Sequence, residues 1–315
     1  MGAHQSKSLI LWSNGALAGS PFEAALSTSG LKFENFKSSP VEQLLAKPRS
    51  HIVIADCELG VHKISSLQES TPQTPVVYLY NGPRSELINT IFSRPNARHA
   101  LGHNDIVLPH EIAPILALAS GKLDSWSVMA KGTAELFTSR HWDGSMIAES
   151  VEEARRAAAG LNTYSEFENY VATSVWELLT NAIYDARRGT DIELPRDAQG
   201  AIPIDQRLDK QLVTLEIRHD LGKIAVRIQD HLGRLKPSMV LENWKRADAR
   251  ALNQIKSDDG GAGVGLYMVL HETAQLIFTV RRNISSEVIF TLPIERMNRS
   301  FLTRIPSIHF FELRS

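Results

Sequence analysis

Short apolar runs alternate with helix-like segments over the first 121 residues. "SLILWS", "LKFENF", "HIVIAD", "TPVVYLY" and "ARHALG" read as strands. "SPFEAALSTSG", "SPVEQLLAKP", "VHKISSLQES", "PRSELINTIFSRP" and "HEIAPILALASGK" follow them in turn and read as helices bounded by Ser, Pro and Gly. Strands that alternate with helices predict an α/β doubly wound parallel five-stranded sheet over residues 1–121, with helices on both faces.

From residue 122 the pattern changes. Two long helical segments, "GSMIAESVEEARRAAAG" and "SEFENYVATSVWELLTNAIYDARR", are followed by a polar stretch containing Gly and Pro. Two alternating runs, "LVTLEIRHD" and "KIAVRIQD", then meet at a hairpin-like Leu221-Gly222. A charged segment runs into "GGAGVGLYMVLHETA", and "QLIFTVRRN" and "SEVIFTLPI" close the unit. Helices segregate from antiparallel strands, which predicts an α+β sandwich over residues 122–300. Residues 301–315 are left as a C-terminal tail.

Composition narrows the class. The 315 residues are 43% hydrophobic and 22% charged, with a formal net charge of -1. That is ordinary for a globular protein and carries no basic field for nucleic acid. The single cysteine, Cys57, rules out a disulfide framework within the chain and fits a reducing, cytoplasmic compartment. No apolar run is long enough to predict a membrane-spanning helix.

Three local features carry chemistry. In "VWELLTNAIYDARR", Glu177, Asn181 and Asp185 recur at i, i+4 and i+8, so they line one helix face. Asp230 ends "IAVRIQD" and is followed by "HLGRL". Gly261, Gly263 and Gly265 form a G-x-G-x-G that runs directly into an apolar helix beginning near Leu266. Singly, each has a plain explanation: a solvated helix edge, a turn residue and a flexible loop.

Their order and spacing resemble the GHKL superfamily of ATP-binding domains, which includes gyrase-type topoisomerases, a heat-shock chaperone, histidine kinases and a mismatch-repair protein. "ELLTNAIYDA" is similar to its N box, "DHLGRL" stands at its D-x-G-x-G box and "GGAGVGLYMV" at its G-x-G-x-G box. "VIFTLPI" resembles the closing strand of histidine-kinase catalytic domains. The resemblance implies a Bergerat fold that binds ATP or ADP with Mg²⁺. It implies that Asn181 ligates Mg²⁺, that Glu177 polarises the attacking hydroxyl or water and approaches the metal through water, and that Asp230 accepts from the adenine amino group. Asp185, Gly233, Gly261, Gly263, Gly265 and Leu266 would line the nucleotide site, Asp185 either contacting a Mg²⁺-bound water or only facing the "GTDIELP" loop, and the segment between Lys236 and Gly260 would be a mobile lid. Two departures stand out. Leu232 and Arg234 occupy positions where glycines are expected, with Gly233 between them, and Asp185 replaces the usual aromatic or histidine.

The layout before the N box bears on the branch. A histidine kinase needs a phosphoacceptor on a two-helix hairpin, and His141, the best candidate, stands too close to Glu177 to leave room for one. One helix followed by the N-box helix resembles anti-sigma-factor-like GHKL serine kinases instead. The front domain resembles a response-regulator receiver, with Asp56 at the phosphoacceptor position after the third strand. The acid pair expected after the first strand is replaced by Ser13 and Asn14, the hydroxyl after the fourth by Tyr80-Asn81, and the lysine after the fifth is missing from "HALGHND". Without Mg²⁺ ligands, phosphoryl transfer to Asp56 loses its charge stabilisation. The expectation is a pseudo-receiver used for docking or dimerisation, regulating an ATP module that phosphorylates a protein partner in a bacterial two-component-type pathway. The alternatives are a non-catalytic ATP/ADP sensor and a divergent histidine kinase using His141. Neither nucleic acid nor membrane is an expected partner, whereas a homodimer remains open.

Overall fold

The computed structural model describes residues 8–13, 23–24, 33–37, 51–56, 69, 74–82, 86–92, 97–102, 112, 125–141, 146–161, 165–183, 213–220, 222–252, 264–294 and 305–313. The chain is α/β in class and uses strands of both senses. It divides into two compact units: Met1–Val128 with Ser307–His309, and Met129–Pro306 with Phe310–Ser315.

In the first unit the strands are β1 (Ser8–Ser13), β2 (Phe33–Lys37), β3 (His51–Asp56), β4 (Val76–Tyr80) and β5 (His99–Gly102). They run parallel in the order β2-β1-β3-β4-β5, one of the common doubly wound orders. Ile52 to Ala55 and Val76 to Tyr80 are buried without alternation, as expected of strands covered on both faces. Helix α1 (Leu87–Ile91) follows β4, and isolated helical positions are Glu23, Ala24, Glu69 and Ile112. Most of the other helices expected here lie outside the described residues.

The parallel sheet is not limited to five strands. The segment set apart as a C-terminal tail contains β11 (Ser307–Leu313), and its first residues pair antiparallel with β5, Ile308 opposite Ala100 and His309 opposite His99. The Gly102 N–H donates to Ser307 Oγ at 3.2 Å. An edge strand with unpaired amides and carbonyls is a template for such an addition.

Ser125–Met129 forms a short helix, α2. The second unit then holds β6 (Ala134–His141), α3 (Ile147–Ala159), α4 (Ser165–Ile183), β7 (Val213–His219), β8 (Lys223–Asp230), α5 (Pro237–Leu252), α6 (Val264–Glu272), β9 (Gln275–Arg281) and β10 (Ser285–Pro293). Its strands lie in the order β9-β10-β8-β7-β6, and their pairings are antiparallel. β6 was not legible from the residue pattern. Adjacent Leu136 and Phe137 break its alternation, and the register with β7 shifts between Glu135 and Phe137, a bulge.

Local chemistry explains the other elements. Ile147, Ser150, Ala154 and Ala158 give α3 its buried stripe. In α4 the buried set includes Phe167, Val171, Val175, Leu178, Leu179 and Ile183. The β7–β8 turn is closed by Asp220, whose Oδ1 accepts from the N–H groups of Gly222 at 2.8 Å and Lys223 at 2.9 Å. Along β7, buried Val213, Leu215 and Ile217 alternate with half-buried Thr214, Glu216 and Arg218. Arg227 on β8 bridges Glu216 on β7 and Glu287 on β10, at 2.9 and 2.8 Å. Among the described residues no helix is long and apolar enough to cross a membrane.

Candidate functional site

Helix α4 packs against β7 and β8, and α6 packs against α4. The elements that carry the Glu177–Asn181 stripe, the strand-terminal Asp230 and the helix that begins at Val264 are therefore neighbours. Glu177 and Asn181 are both half-buried on α4. Burial raises the Glu177 carboxyl above its ordinary value, because a partly desolvated site disfavours the charged form. Asp185, Gly261 and Gly263 lie outside the described residues. Gly265 falls in the first turn of α6, and Leu266 beside it is buried at 7% exposure.

Asp230 is the last residue of β8 and is 6% exposed. Its Oδ1 accepts from the N–H groups of Leu232 at 2.7 Å and Gly233 at 3.1 Å. Ser286, its register partner on β10, reaches the same carboxylate with both hydroxyl and backbone. That hydroxyl also accepts from the Leu235 N–H at 3.3 Å. Burial raises the Asp230 pKa, and these hydrogen bonds oppose the rise without cancelling it. A carboxylate offers about four lone-pair positions, so the chain's own donors use most of its capacity.

Gly233 holds this turn in shape. Its φ is +63°, a region costly for residues with a Cβ. A Cβ there would also stand 2.6 Å from Ile284 N and 2.8 Å from Asn283 N. The Asn283 N–H donates to Gly233 O at 3.1 Å, and Asn283 itself has a φ of 59°. The turn after β8 and the turn between β9 and β10 are thus locked together. A D-x-G-x-G box would place its glycines on either side of this position; here the close approach needs the one glycine between them.

The segment expected to be a mobile lid begins with a helix. Residues 237–252 form α5, and Trp244 within it is fully buried. The Trp244 indole N–H donates to Leu266 O at 2.9 Å, and its ring meets Phe278 edge-on at 6.0 Å. Phe278 in turn stacks on Phe310 at 4.8 Å. This part is core. The remainder, 253–260, lies outside the described residues.

His141 ends β6, a strand. This is not the helical hairpin that a phosphoacceptor histidine requires. In the first unit Asp56 ends β3 and is 6% exposed, at the same end of the parallel sheet as Ser13 of β1 and Tyr80 of β4. Among the described residues no group of three or more His, Cys, Asp and Glu side chains is arranged to hold a metal ion. Sequence reasoning missed Ser286 and Trp244. Ser286 reaches Asp230 only through strand register, and Trp244 sits in a segment whose charge resembles a solvated loop.

The chain matches no protein-family model. No curated protein matches it either.

Proposed function

We propose that the second unit is an adenine-nucleotide module of the GHKL type, with a Bergerat α+β sandwich, acting as a kinase or ATPase on a protein partner. The first unit is a pseudo-receiver that regulates it in a cytoplasmic, bacterial two-component-type pathway. The observation that carries this reading is the packing of α4, with Glu177 and Asn181, against β8, which ends in Asp230, and of α6 against α4.

The residues fit the group in part. One amide oxygen and one nearby acid are few ligands for a metal, but Mg²⁺ commonly takes one or two protein oxygens and completes its shell with phosphates and water. Asn181 would hold Mg²⁺, and Glu177 would approach it through water. ATP supplies the phosphoryl group. Glu177, its carboxyl raised by burial, takes the proton from the attacking hydroxyl or water. Gly261, Gly263 and Gly265 would admit phosphates close to the backbone, with α6 directing its N-terminus at them. Asp230 would accept from the adenine amino group.

One observation favours a second reading. The donors already on Asp230, together with its altered glycine box, suit a module that binds ATP or ADP without turnover and changes partner affinity. Labelled ATP, incubated with the full chain and candidate partners, separates the two. Under the first reading Glu177→Gln lowers turnover by ~10²–10⁴-fold and spares binding, whereas His141→Ala leaves turnover intact. Binding with no turnover selects the sensor. An acid-labile label lost in His141→Ala restores the histidine-kinase alternative, and absence of any nucleotide binding overturns both main readings.

A further inference from the structure

The two turns that Gly233 locks together carry charge of one sign. Arg234 and Lys236 follow Gly233, and Arg281 and Arg282 precede Asn283. Arg234 stands where the nucleotide box would have a glycine. All four cations are exposed, and residues 231–239 and 281–285 contain no acid. The acids that flank the turns are engaged: Asp230 holds the Leu232 and Gly233 amides, and Glu287 pairs with Arg227. Glu242 on α5 is followed one turn later by exposed Lys245. Among the described residues none of the four cations meets a carboxylate. Two large apolar side chains stand among them. Ile284, at the β9–β10 hairpin, is 48% exposed, and Met239, in the first turn of α5, is 47% exposed. Like charges repel, and apolar surface left in water forgoes its burial energy, so neither feature helps this unit fold.

The backbone under this patch is fixed. The Asn283 N–H donates to Gly233 O at 3.1 Å, the Ile284 N–H to Arg281 O at 2.9 Å and the Met239 N–H to Lys236 O at 3.0 Å. The Leu235 N–H bond to Ser286 ties the first turn to β10. A ligand therefore meets cations whose backbone positions are already set, and the ordering cost is confined to side chains. Three of the four cations are Arg, whose planar fork matches a carboxylate with two parallel hydrogen bonds. A nucleic-acid strand would want aromatic rings to stack on, and the two turns supply none. A membrane surface needs only diffuse charge and gains nothing from a fixed fork. Carboxylates interspersed with apolar side chains match both halves of the patch. We infer that the two locked turns dock an acidic segment of a partner protein, its carboxylates on Arg234, Arg281 and Arg282 and its apolar side chains on Ile284 and Met239. The inference does not depend on nucleotide binding.

The probe is a fluorescent peptide that alternates glutamate pairs with leucine, titrated with the full chain at low salt and read by anisotropy. Saturable binding that weakens as salt rises is expected. Arg234→Glu and Arg282→Glu should each weaken it about three- to tenfold, the worth of one or two exposed ion pairs. Lys131→Glu makes the same charge change on an exposed residue before β6, at the end of the sheet opposite the Asp230 turn, and should leave binding unchanged. Ile284→Ser should weaken binding without altering its salt dependence, because it removes apolar contact alone. Each variant should melt like wild type, since every altered side chain is exposed. A matching peptide of lysine and leucine should not bind. Vesicles of phosphatidylcholine with about one-third phosphatidylserine, and single-stranded DNA, go through the same titration and should bind more weakly than the acidic peptide. No binding of that peptide, an equal loss in Lys131→Glu, or tighter binding of vesicles or DNA would each overturn the proposal.

Discussion

Asp230 and Ser286 stand opposite each other on β8 and β10, and Ser286 hydrogen-bonds the Asp230 carboxylate while accepting from the Leu235 N–H. The residue expected to read adenine is therefore also the residue that ties down the turn after β8. Asp230→Asn keeps an oxygen for the Leu232 and Gly233 amides but loses the charge. Its melting temperature should fall less than that of Asp230→Ala, which strands those amides at ~1–3 kcal/mol. Adenine-nucleotide affinity should fall by about 1–3 kcal/mol in Asp230→Asn, read by calorimetry. Unchanged affinity removes Asp230 from the pocket and leaves it as a turn residue.

Gly233→Ala should destabilise the second unit more than an ordinary surface substitution. The left-handed conformation costs ~1–2 kcal/mol with a Cβ present. The backbone nitrogens of Asn283 and Ile284 must then move as well. Denaturant unfolding measures the loss. A Gly233→Ala chain as stable as wild type would mean that the two turns are not locked.

Trp244 distinguishes a packed helix from a lid. Trp244→Ala should cost ~3–5 kcal/mol, as for other large buried aromatics, whereas the same change on a mobile lid would cost little. ATP or ADP should not expose the Trp244 indole to a solvent quencher, because its N–H is held by Leu266 O. A chain carrying Trp244 as its sole tryptophan makes both measurements specific.

Acetyl phosphate and beryllofluoride should leave Asp56 unmodified. The neighbouring strand ends carry Ser13, Tyr80 and Gly102, none of them an acid to hold Mg²⁺ or a lysine to neutralise the phosphoryl charge. Intact-mass analysis with and without Mg²⁺ checks this. A stoichiometric, Mg²⁺-dependent adduct on Asp56 would make the first unit a working receiver.

Stability should fall with acid through a buried histidine pair. His99 and His309 are register partners on β5 and β11, with rings stacked at 5.7 Å. Burial, and then the charge of Arg98, lowers His99 from 6.5 to about 3. Burial, and then His99, lowers His309 well below its ordinary value. Between these values the unfolded chain binds protons that the folded chain refuses. The pair's stabilisation is therefore complete above about pH 6.5 and lost as pH falls toward 3. Each histidine contributes a slope of at most about tenfold in the unfolding equilibrium per pH unit. His99→Phe should flatten the profile in denaturant melts from pH 7 to 4, and a slope equal to wild type would assign the acid sensitivity elsewhere.

Local chemistry made much of this protein legible. The alternation of short apolar runs with helix-like segments marked β1 to β5. Alternation of apolar and polar residues marked β7 and β8, and Leu221-Gly222 marked the turn between them. The stripe of Glu177 and Asn181 followed from helical periodicity alone. What the residues could not declare was pairing between distant segments. β6 draws its order from one neighbouring strand and lacks a clear alternation. β11 lies far from β5 in sequence and is held by backbone ladder and a buried histidine pair. Trp244 looked like part of a charged loop until Leu266 and Phe278 closed around it, and Ser286 became relevant only through its register with Asp230. Hydrogen-bond register and core packing join residues far apart in the chain, so only the tertiary structure decided them.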